Sequence, residues 1–481
     1  MAAKALLGSK VRRLRRAKGL TQSQLAARLG VSPSYLNLIE HDRRSVTVPM
    51  LLRLAEVLQA DLAKFGADED ARLVAELTEV FSDGFFESHG LKAPDIRDLV
   101  ASSPGAGQAV LDLYRAYRQA RDDSRGLAAR LSEDAQWGGG SDGRAAPEEE
   151  VSDFIQAHNN HFPELEREAE ALAAEAQLAS ADLEPRLVEH LRQAHGVTVE
   201  VVASEAAGGV MRRFEPKRRR LTLSEVLPPR SRHFQLAHQI ALVGCRPALD
   251  ALVARGKFST PDARALARVA LANYFAGAVL MPYDAFLAAA RAMRYDIELL
   301  GHRFRTSFEQ VCHRLTTLQR PDARGVPFHL LRVDIAGNIS KRFSASGFRF
   351  SRYGRSCPRW NVFTAFLSPG FIRTQLSRMP DGTTFFCIAR TVRKEGGGFQ
   401  VSQTRFAIGL GCEIGHAREL VYADGVDLEN LDAAVPIGTA CRLCERTDCR
   451  QRAFPPLMQS LGVDENVRGL SFYVAPPERP A

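Results

Sequence analysis

Two capped helix starts, separated by a single glycine, constrain this chain more than any other feature. Thr21-x-x-Gln24 is a capping box, in which each side chain satisfies a backbone amide that the first helical turn leaves free. Leu25, Ala26 and Leu29 fall on one face of the helix that follows. Gly30 stops it, because glycine adopts the left-handed conformation of a helix end without steric cost. Ser32 then caps a second helix, with Pro33 at the first position, where a missing N–H costs nothing. Leu36 and Ile39 point inward and Ser34, Tyr35 and Asn37 outward. A helix over Lys10–Lys18, stopped by Gly19, precedes this pair, and Leu51, Leu54, Ala55 and Leu58 mark an amphipathic helix after it. Two short helices around a tight glycine turn, packed by flanking helices, make the helix-turn-helix plan.

The charge agrees with a polyanionic partner. The chain carries a net charge of +8, and Lys10, Arg12, Arg13, Arg15, Arg16 and Lys18 crowd into the first helix. Residues 9–65 resemble the Cro/phage-repressor (XRE-type) family through Arg12, Thr21, Gln22, Leu25, Ala26, Gly30, Val31, Ser32, Tyr35, Leu36, Ile39, Glu40 and Leu54–Ala55. By that resemblance the helix at 32–41 enters the major groove of double-stranded DNA. Ser34, Tyr35 and Asn37 are then the base-contact candidates, and Ser32 at the helix start is counted among the DNA-binding residues. Gln22, Arg43 and Arg44 would hold phosphates. A small helical protein-interaction domain is the competing reading.

At 481 residues the chain is too long for one core. We expect a multidomain protein: an all-α helix-turn-helix domain at 1–66, a helical and dimerising linker at 67–137, a flexible linker at 138–150, an α+β domain at 151–318 and an α+β C-terminal domain at 319–481. Leu111, Tyr114 and Tyr117 mark one face of the helical linker. Val197–Val202 and Leu221–Val226 read as strands bracketing a basic turn, Lys217–Arg220, and 231–243 and 262–280 as helices. Thr383–Val392 and Phe399–Ile408 read as a hairpin joined through Gly396–Gly398. The longest apolar stretch, Val269–Met281, is too short to span a bilayer, and no apolar leader follows Met1. A cytoplasmic protein without membrane contact is the expectation, and disulfides are rare in that compartment.

The run His233–Leu242 places His238 where a zinc peptidase's H-E-x-x-H begins. Gln239 stands in place of the base and Leu242 in place of the second ligand. With Ala272-Asn273 and Leu280-Met281-Pro282, the stretch 185–290 is similar to the metallopeptidase-like domain of phage-repressor-cleaving and radiation-response regulators. That family carries a further carboxylate ligand before the Ala-Asn pair, where this chain has Arg268, Val269, Ala270 and Leu271. The expectation is a retained scaffold without protease chemistry, a cleft that binds a ligand or relays a signal, and no enzyme.

Eight cysteines are present, and three of them form C-x2-C-x4-C: Cys441, Cys444 and Cys449. Thiolates at this spacing suit zinc or an iron–sulfur cluster. A fourth ligand is needed. Cys412 at a strand end is the first choice, with His416, Cys357 and Cys387 as alternatives, while Cys245 and Cys312 read as buried helix cysteines. The alternative is an unmetallated loop of thiols. Cys357-Pro358-Arg359-Trp360-Asn361, Pro380-Asp381-Gly382, Ile388–Thr391, Gly409–Cys412, Ile437-Gly438 and Cys441–Arg452 followed by Pro455-Pro456 resemble the short-chain fatty-acyl regulator family, which includes bacterial propionate and glyoxylate/acetate-pathway regulators. The resemblance implies a regulator of short-chain acyl metabolism that senses an acyl-CoA, with a 4Fe–4S cluster on the C-terminal cysteines. Zinc stays open as the metal, and a redox- or metal-sensing regulator is the alternative function. A repressor-cleaving metalloprotease is the least favoured. Arg349, Arg352, Arg355 and Arg359 are uncommitted candidates for CoA phosphates. A homodimer or higher homo-oligomer is expected, because helix-turn-helix proteins bind paired half-sites.

Overall fold

Thr21 caps helix α1 (Gln22–Leu29) as its sequence requires. Its N–H donates to Gln24 Oε1 at 2.8 Å, and its Oγ1 accepts from the Gln24 N–H at 3.2 Å. Gly30 closes α1 at φ 68°. Ser32 Oγ accepts from the Tyr35 N–H at 3.1 Å, which starts α2 (Pro33–Glu40). Helix α3 (Val48–Leu58) completes the group, with Val11, Leu25, Leu29, Leu36, Ile39, Leu54 and Leu58 as its core. The computed structural model describes residues 11–12, 14–15, 18–40, 43–44, 46–58, 68–83, 86, 91–132, 147–176, 182–204, 210–350, 356–394, 403–441, 444–446 and 448–455. It divides into two compact units, one built mainly from Met1–Arg144 and the other mainly from Ala145–Ser351 and Arg355–Phe454.

The first unit holds a second helical core. Helices α4 (Asp68–Phe81), α5 (Ala93–Ser102) and α6 (Pro104–Ser132) bury Leu77, Val80, Ile96, Val100, Leu111 and Tyr114 together. The Tyr114 hydroxyl donates to Asp83 at 2.8 Å, so the ring is buried with its polar end satisfied.

The second unit begins with α7 (Pro147–Ala157), which corrects the expected linker at 138–150. Pro147 suits the first helical turn, and Glu148, Glu149 and Glu150 complement the positive end of the helix dipole. The linker residues before Pro147 lie outside the described residues. Helices α8 (Pro163–Glu175) and α9 (Leu183–His195) lead into a three-stranded sheet: β1 (Thr198–Val202), β2 (Arg212–Glu215) and β3 (Arg220–Ser224). Its order is β1-β3-β2, with β1 and β3 parallel. The basic turn therefore joins β2 to β3, and β1 is not its other arm. Helices α10 (Pro229–Gly244), α11 (Arg246–Arg255) and α12 (Pro261–Leu280) pack behind, around Leu236, Ile240, Leu271 and Phe275.

Beyond Leu280 the core changes. Helices α13 (Tyr283–Ala292), α14 (Ile297–Arg303) and α15 (Phe308–Thr316) cover one face of a six-stranded sheet. Its strands are β4 (His329–Asp334), β5 (Ile339–Ser344), β6 (Arg373–Arg378), β7 (Thr384–Arg393), β8 (Arg405–Glu413) and β9 (Val435–Pro436), in the order β5-β4-β8-β7-β6-β9. Phe286, Leu300, Leu330, Phe386, Leu410 and Cys412 fill that side. Leu331, Val333, Phe348, Trp360, Phe385 and Cys387 fill the other. The antiparallel β7–β8 pair is present, but β8 starts at Arg405 rather than Phe399, and the glycines of the connection lie outside the described residues. Cys312 is buried in α15, whereas Cys245 sits between α10 and α11 and is only part-buried. Among the described residues no single helix is long and apolar enough to cross a membrane.

Candidate DNA-reading helix and sensor sites

Helix α2 presents Ser34 and Asn37 to solvent, with Tyr35 half-buried beside them. Ser32 is exposed but its oxygen serves as the cap. The Gln22 amide donates to Asn37 Oδ1 at 3.3 Å and to Glu40 Oε2 at 3.1 Å, so the α1 start and the outer face of α2 form one polar surface. Arg43 and Arg44 are exposed, and the Arg44 guanidinium lies 4.7 Å from the centre of the Tyr35 ring. Behind this surface Glu40 is buried, its carboxylate held by Arg15 at 2.6 and 3.0 Å. The Arg12 guanidinium donates to the Glu40 carbonyl at 3.0 Å. Two members of the basic run thus hold the domain together rather than facing outward, and Lys10, Arg13 and Arg16 lie outside the described residues.

The peptidase-like motif has its own cation. His238 is buried on α10, with no hydrogen-bond partner at Nδ1 among the described residues. Burial, and then Arg212, lower its pKa to about 4. Arg212 donates to Gln239 Oε1 at 2.8 Å. Leu242 packs against the apolar core. The positive charge beside His238 is therefore a guanidinium, and a glutamine amide stands where a zinc peptidase has its base.

Sequence reading missed the buried network behind the motif. Arg314 on α15 grips Glu166 on α8 at 2.6 and 2.9 Å, and the Tyr274 hydroxyl on α12 donates to the same carboxylate at 2.5 Å. Both ends of the ion pair are buried. The pair is 148 residues apart, so no local pattern announces it. Alongside lies a cleft of about 1430 Å³. One wall is apolar, with Ile155, Phe234, Leu266 and Val269, and another is basic, with Lys341, Arg393, Lys394 and Arg405.

The cysteines separate onto two sides of the large sheet. Cys412 packs on the helix-covered face. Cys357 and Cys387 lie on the opposite face, so strand alternation places Cys412 on the other side of the sheet from them. Cys357 adjoins Gly438, whose N–H donates to its sulfur, and lies within electrostatic reach of Cys441 and Cys444. Burial first, and those two thiols after it, raise the Cys357 pKa to about 11. A Cβ on Gly438 would come within 2.9 Å of Cys444 Sγ, so glycine is needed there. Buried Arg452 spans the loop, donating to the carbonyls of Cys441 at 2.6 Å and Cys444 at 2.7 Å. Cys449 is part-buried. His416 is paired with Glu419 at 2.7 Å, and Cys387 Sγ lies 3.7 Å from His329 Nε2. Among the described residues no three donor side chains stand close enough as they are to hold a metal ion. Arg349 lies at the end of a described segment, while Arg352 and Arg355 fall outside the described residues.

Three known families match successive parts of the chain. Residues 11–65 match the helix-turn-helix family, residues 192–316 the IrrE N-terminal-like domain and residues 317–473 the C-terminal domain of the short-chain fatty acyl coenzyme A regulators. The HTH-type transcriptional regulator PrpR of Mycobacterium tuberculosis is 43% identical over 95% of this chain and 93% of its own length. The HTH-type transcriptional regulator RamB of the same species is 42% identical over 98% and 99%. The propionyl-CoA carboxylase regulator of Cereibacter sphaeroides is also 42% identical over 98% and 99%. A solved structure of a Mycobacterium tuberculosis transcriptional regulator, 44% identical, covers 69% of this chain and 100% of its own with a TM-score of 0.66. The chain belongs to the short-chain fatty acyl coenzyme A regulator family, helix-turn-helix transcriptional regulators with a peptidase-like middle domain.

Proposed function

We propose that this regulator controls genes of short-chain acyl-CoA metabolism, such as those of propionate or acetate use, and that an acyl-CoA bound in the cleft of the second unit sets its affinity for DNA. The observation carrying this reading is the cleft itself. It has room for a CoA-sized ligand, an apolar wall for an acyl–pantetheine arm and a basic wall for phosphates. The names of the propionyl-CoA carboxylase regulator and of the matched C-terminal domain support the ligand class. Operator bases are read by Ser34, Tyr35 and Asn37, with Ser32, Gln22, Arg43 and Arg44 at the phosphates. The protein works in the cytoplasm as a homodimer or higher homo-oligomer, because one such domain spans only a half-site. It is a regulator and not a peptidase: Gln239 cannot act as a base and Leu242 cannot ligate.

The test is genome-wide mapping of binding sites, then gel shifts on the best site with a panel of acyl-CoAs. Sites beside short-chain acyl genes with acyl-CoA-dependent affinity are expected. Specific sites indifferent to every acyl-CoA would move the signal to the cysteines.

That second reading, a redox- or metal-sensing regulator, is favoured by the Gly438 cradle under Cys444. Cys357, Cys441, Cys444 and Cys449 are the residues that would hold a 4Fe–4S cluster, or zinc in its place. Buried Arg452 braces the loop that carries them. A bound cluster would supply one-electron chemistry and sensitivity to oxidants.

A further inference from the structure

The turn joining β2 to β3 carries more positive charge than its surroundings balance. Arg212–Arg220 holds six cationic side chains and one carboxylate, Glu215. Arg212 and Phe214 face the helices: Arg212 reaches Gln239 on α10, and Phe214 packs on the apolar core. Side chains alternate along a strand, so Arg213 points to the opposite face, where it is exposed. Lys217, Arg218 and Arg219 are exposed at the turn itself. Glu215 is shared between Arg220 at 2.9 Å and Arg218 at 3.4 Å, and Glu200 on β1 lies 3.6 Å from the same Arg220. Among the described residues no carboxylate forms an ion pair with Arg213 or Lys217. The turn is also braced. Arg219 stands at φ 47°, a left-handed conformation that glycine adopts without cost, and its Nε donates to the His195 carbonyl at the end of α9 at 2.8 Å.

We propose that this turn is a second DNA contact, in which Arg213, Lys217 and Arg218 hold backbone phosphates of the duplex that flanks the bases read by α2. Arginine and lysine side chains on phosphates position a protein along a duplex without reading its sequence. The major groove of the half-site is occupied by α2, so the second contact falls outside it. A duplex already held by the helix-turn-helix is present at high effective concentration around the turn, which favours DNA over a free polyanion. The contact needs the helix-turn-helix on DNA, and it needs no effector.

The test uses the full chain without effector and the best site from genome-wide mapping, placed in two duplexes. One carries only the operator, ~20 bp for two half-sites a turn apart, and the other adds about two helical turns of arbitrary sequence on each side. Anisotropy titrations over a range of salt compare wild type with Arg213→Gln/Lys217→Gln. Wild type should bind the long duplex more tightly and with a steeper dependence on salt. The double variant should lose about tenfold on the long duplex, with the slope of log affinity against log salt falling by about 2, close to one for each phosphate contact. Its affinity for the short duplex should stay at the wild-type level. Wild type that binds both duplexes alike, or a double variant that matches wild type on the long one, overturns the contact and leaves the helix-turn-helix reading intact. Equal losses on both duplexes also overturn it, because the substitutions then act on the operator complex itself. Binding of neither duplex by wild type would sink the DNA reading and this contact together. Thermal melting checks the fold. If the double variant melts early, Lys217→Gln alone, in the exposed turn, should lower the slope by about 1 on the long duplex only.

Discussion

The guanidinium of Arg212 on β2 donates to Gln239 Oε1 on α10 at 2.8 Å, next in sequence to the buried His238. A glutamate at Gln239 would pair with that arginine instead of activating water. The substitution at one position and the cation at the other make a consistent set: scaffold geometry is kept and a fixed charge sits beside the remaining histidine.

That set makes the second unit acid-sensitive. Burial and Arg212 hold the His238 pKa at about 4, against 6.5 when exposed. Between those values the unfolded chain binds the proton and the folded chain does not. His238 therefore contributes its full stabilisation above pH 6.5, and this is lost as pH falls toward 4. The loss is roughly 3 kcal/mol for a shift of this size. Urea unfolding at pH 7 and pH 5 should show a falling midpoint, flattened in His238→Gln. An unchanged pH slope in that variant would exclude His238 as the source.

Breaking the Glu166–Arg314 pair should be among the most damaging single changes in the second unit. Glu166→Gln leaves the Arg314 guanidinium buried with an amide in place of its counter-charge. The expected cost is about 3–5 kcal/mol, and about 1–3 kcal/mol for Tyr274→Phe, which removes one donor to Glu166 and the acceptor of the Phe162 N–H. A Glu166→Leu/Arg314→Met double variant should recover most of the loss. Chemical denaturation of the three variants checks this, and additive losses in the double variant would argue against a coupled pair.

These two networks also show what local sequence conveys. The helix-turn-helix is legible because its signals are close together: the Thr21/Gln24 box, Gly30, and Ser32 before Pro33 each act within one turn. Strand β2 was missed because Arg212-Arg213-Phe214-Glu215 offers one apolar residue to mark a buried face. The Glu166–Arg314 pair joins helices far apart in the chain, so only the packed structure reveals it. Cysteine spacing identified a loop of thiols but not the partner side. Cys412 and Cys387 are directly usable in sequence terms, yet pleating turns Cys412 to the helix-covered face. The basic first helix misled in a different way, since Arg12 and Arg15 are engaged by Glu40.

The exposed face of α2 and its buried support should separate cleanly. Asn37→Ala, on an exposed side chain, should weaken specific operator binding by about 10- to 100-fold, the worth of one base contact, with the melting curve unchanged. Tyr35→Ala should weaken binding similarly and remove the ring beneath Arg44, and because that ring also packs against the domain core it should lower the melting temperature as well. Arg15→Ala removes the closest cation from the buried Glu40 carboxylate, leaving it to Gln22 and the more distant Arg12, and should cost about 1.5–3 kcal/mol, weakening specific and non-specific binding together. Gel shifts on specific and random duplexes, paired with thermal melts, distinguish the two classes. Full operator affinity in Asn37→Ala would remove it from the contact set.

Cysteine substitutions should divide by sheet face. Anaerobically purified protein is expected to carry the metal on Cys357, Cys441, Cys444 and Cys449. Cys444→Ser and Cys357→Ser should each lose it, read as iron and sulfide content with visible absorption for a cluster, or as zinc by elemental analysis. Cys412→Ser changes a thiol on the opposite face and should keep full metal content while costing about 1–3 kcal/mol, because it buries a hydroxyl without a built partner. Arg452→Met, which frees the carbonyls of Cys441 and Cys444, should weaken retention without removing a ligand. Loss of metal in Cys412→Ser with retention in Cys357→Ser would restore the strand-end cysteine as the fourth ligand, and metal-free protein under all of these conditions would leave the triad as a loop of thiols braced by Arg452.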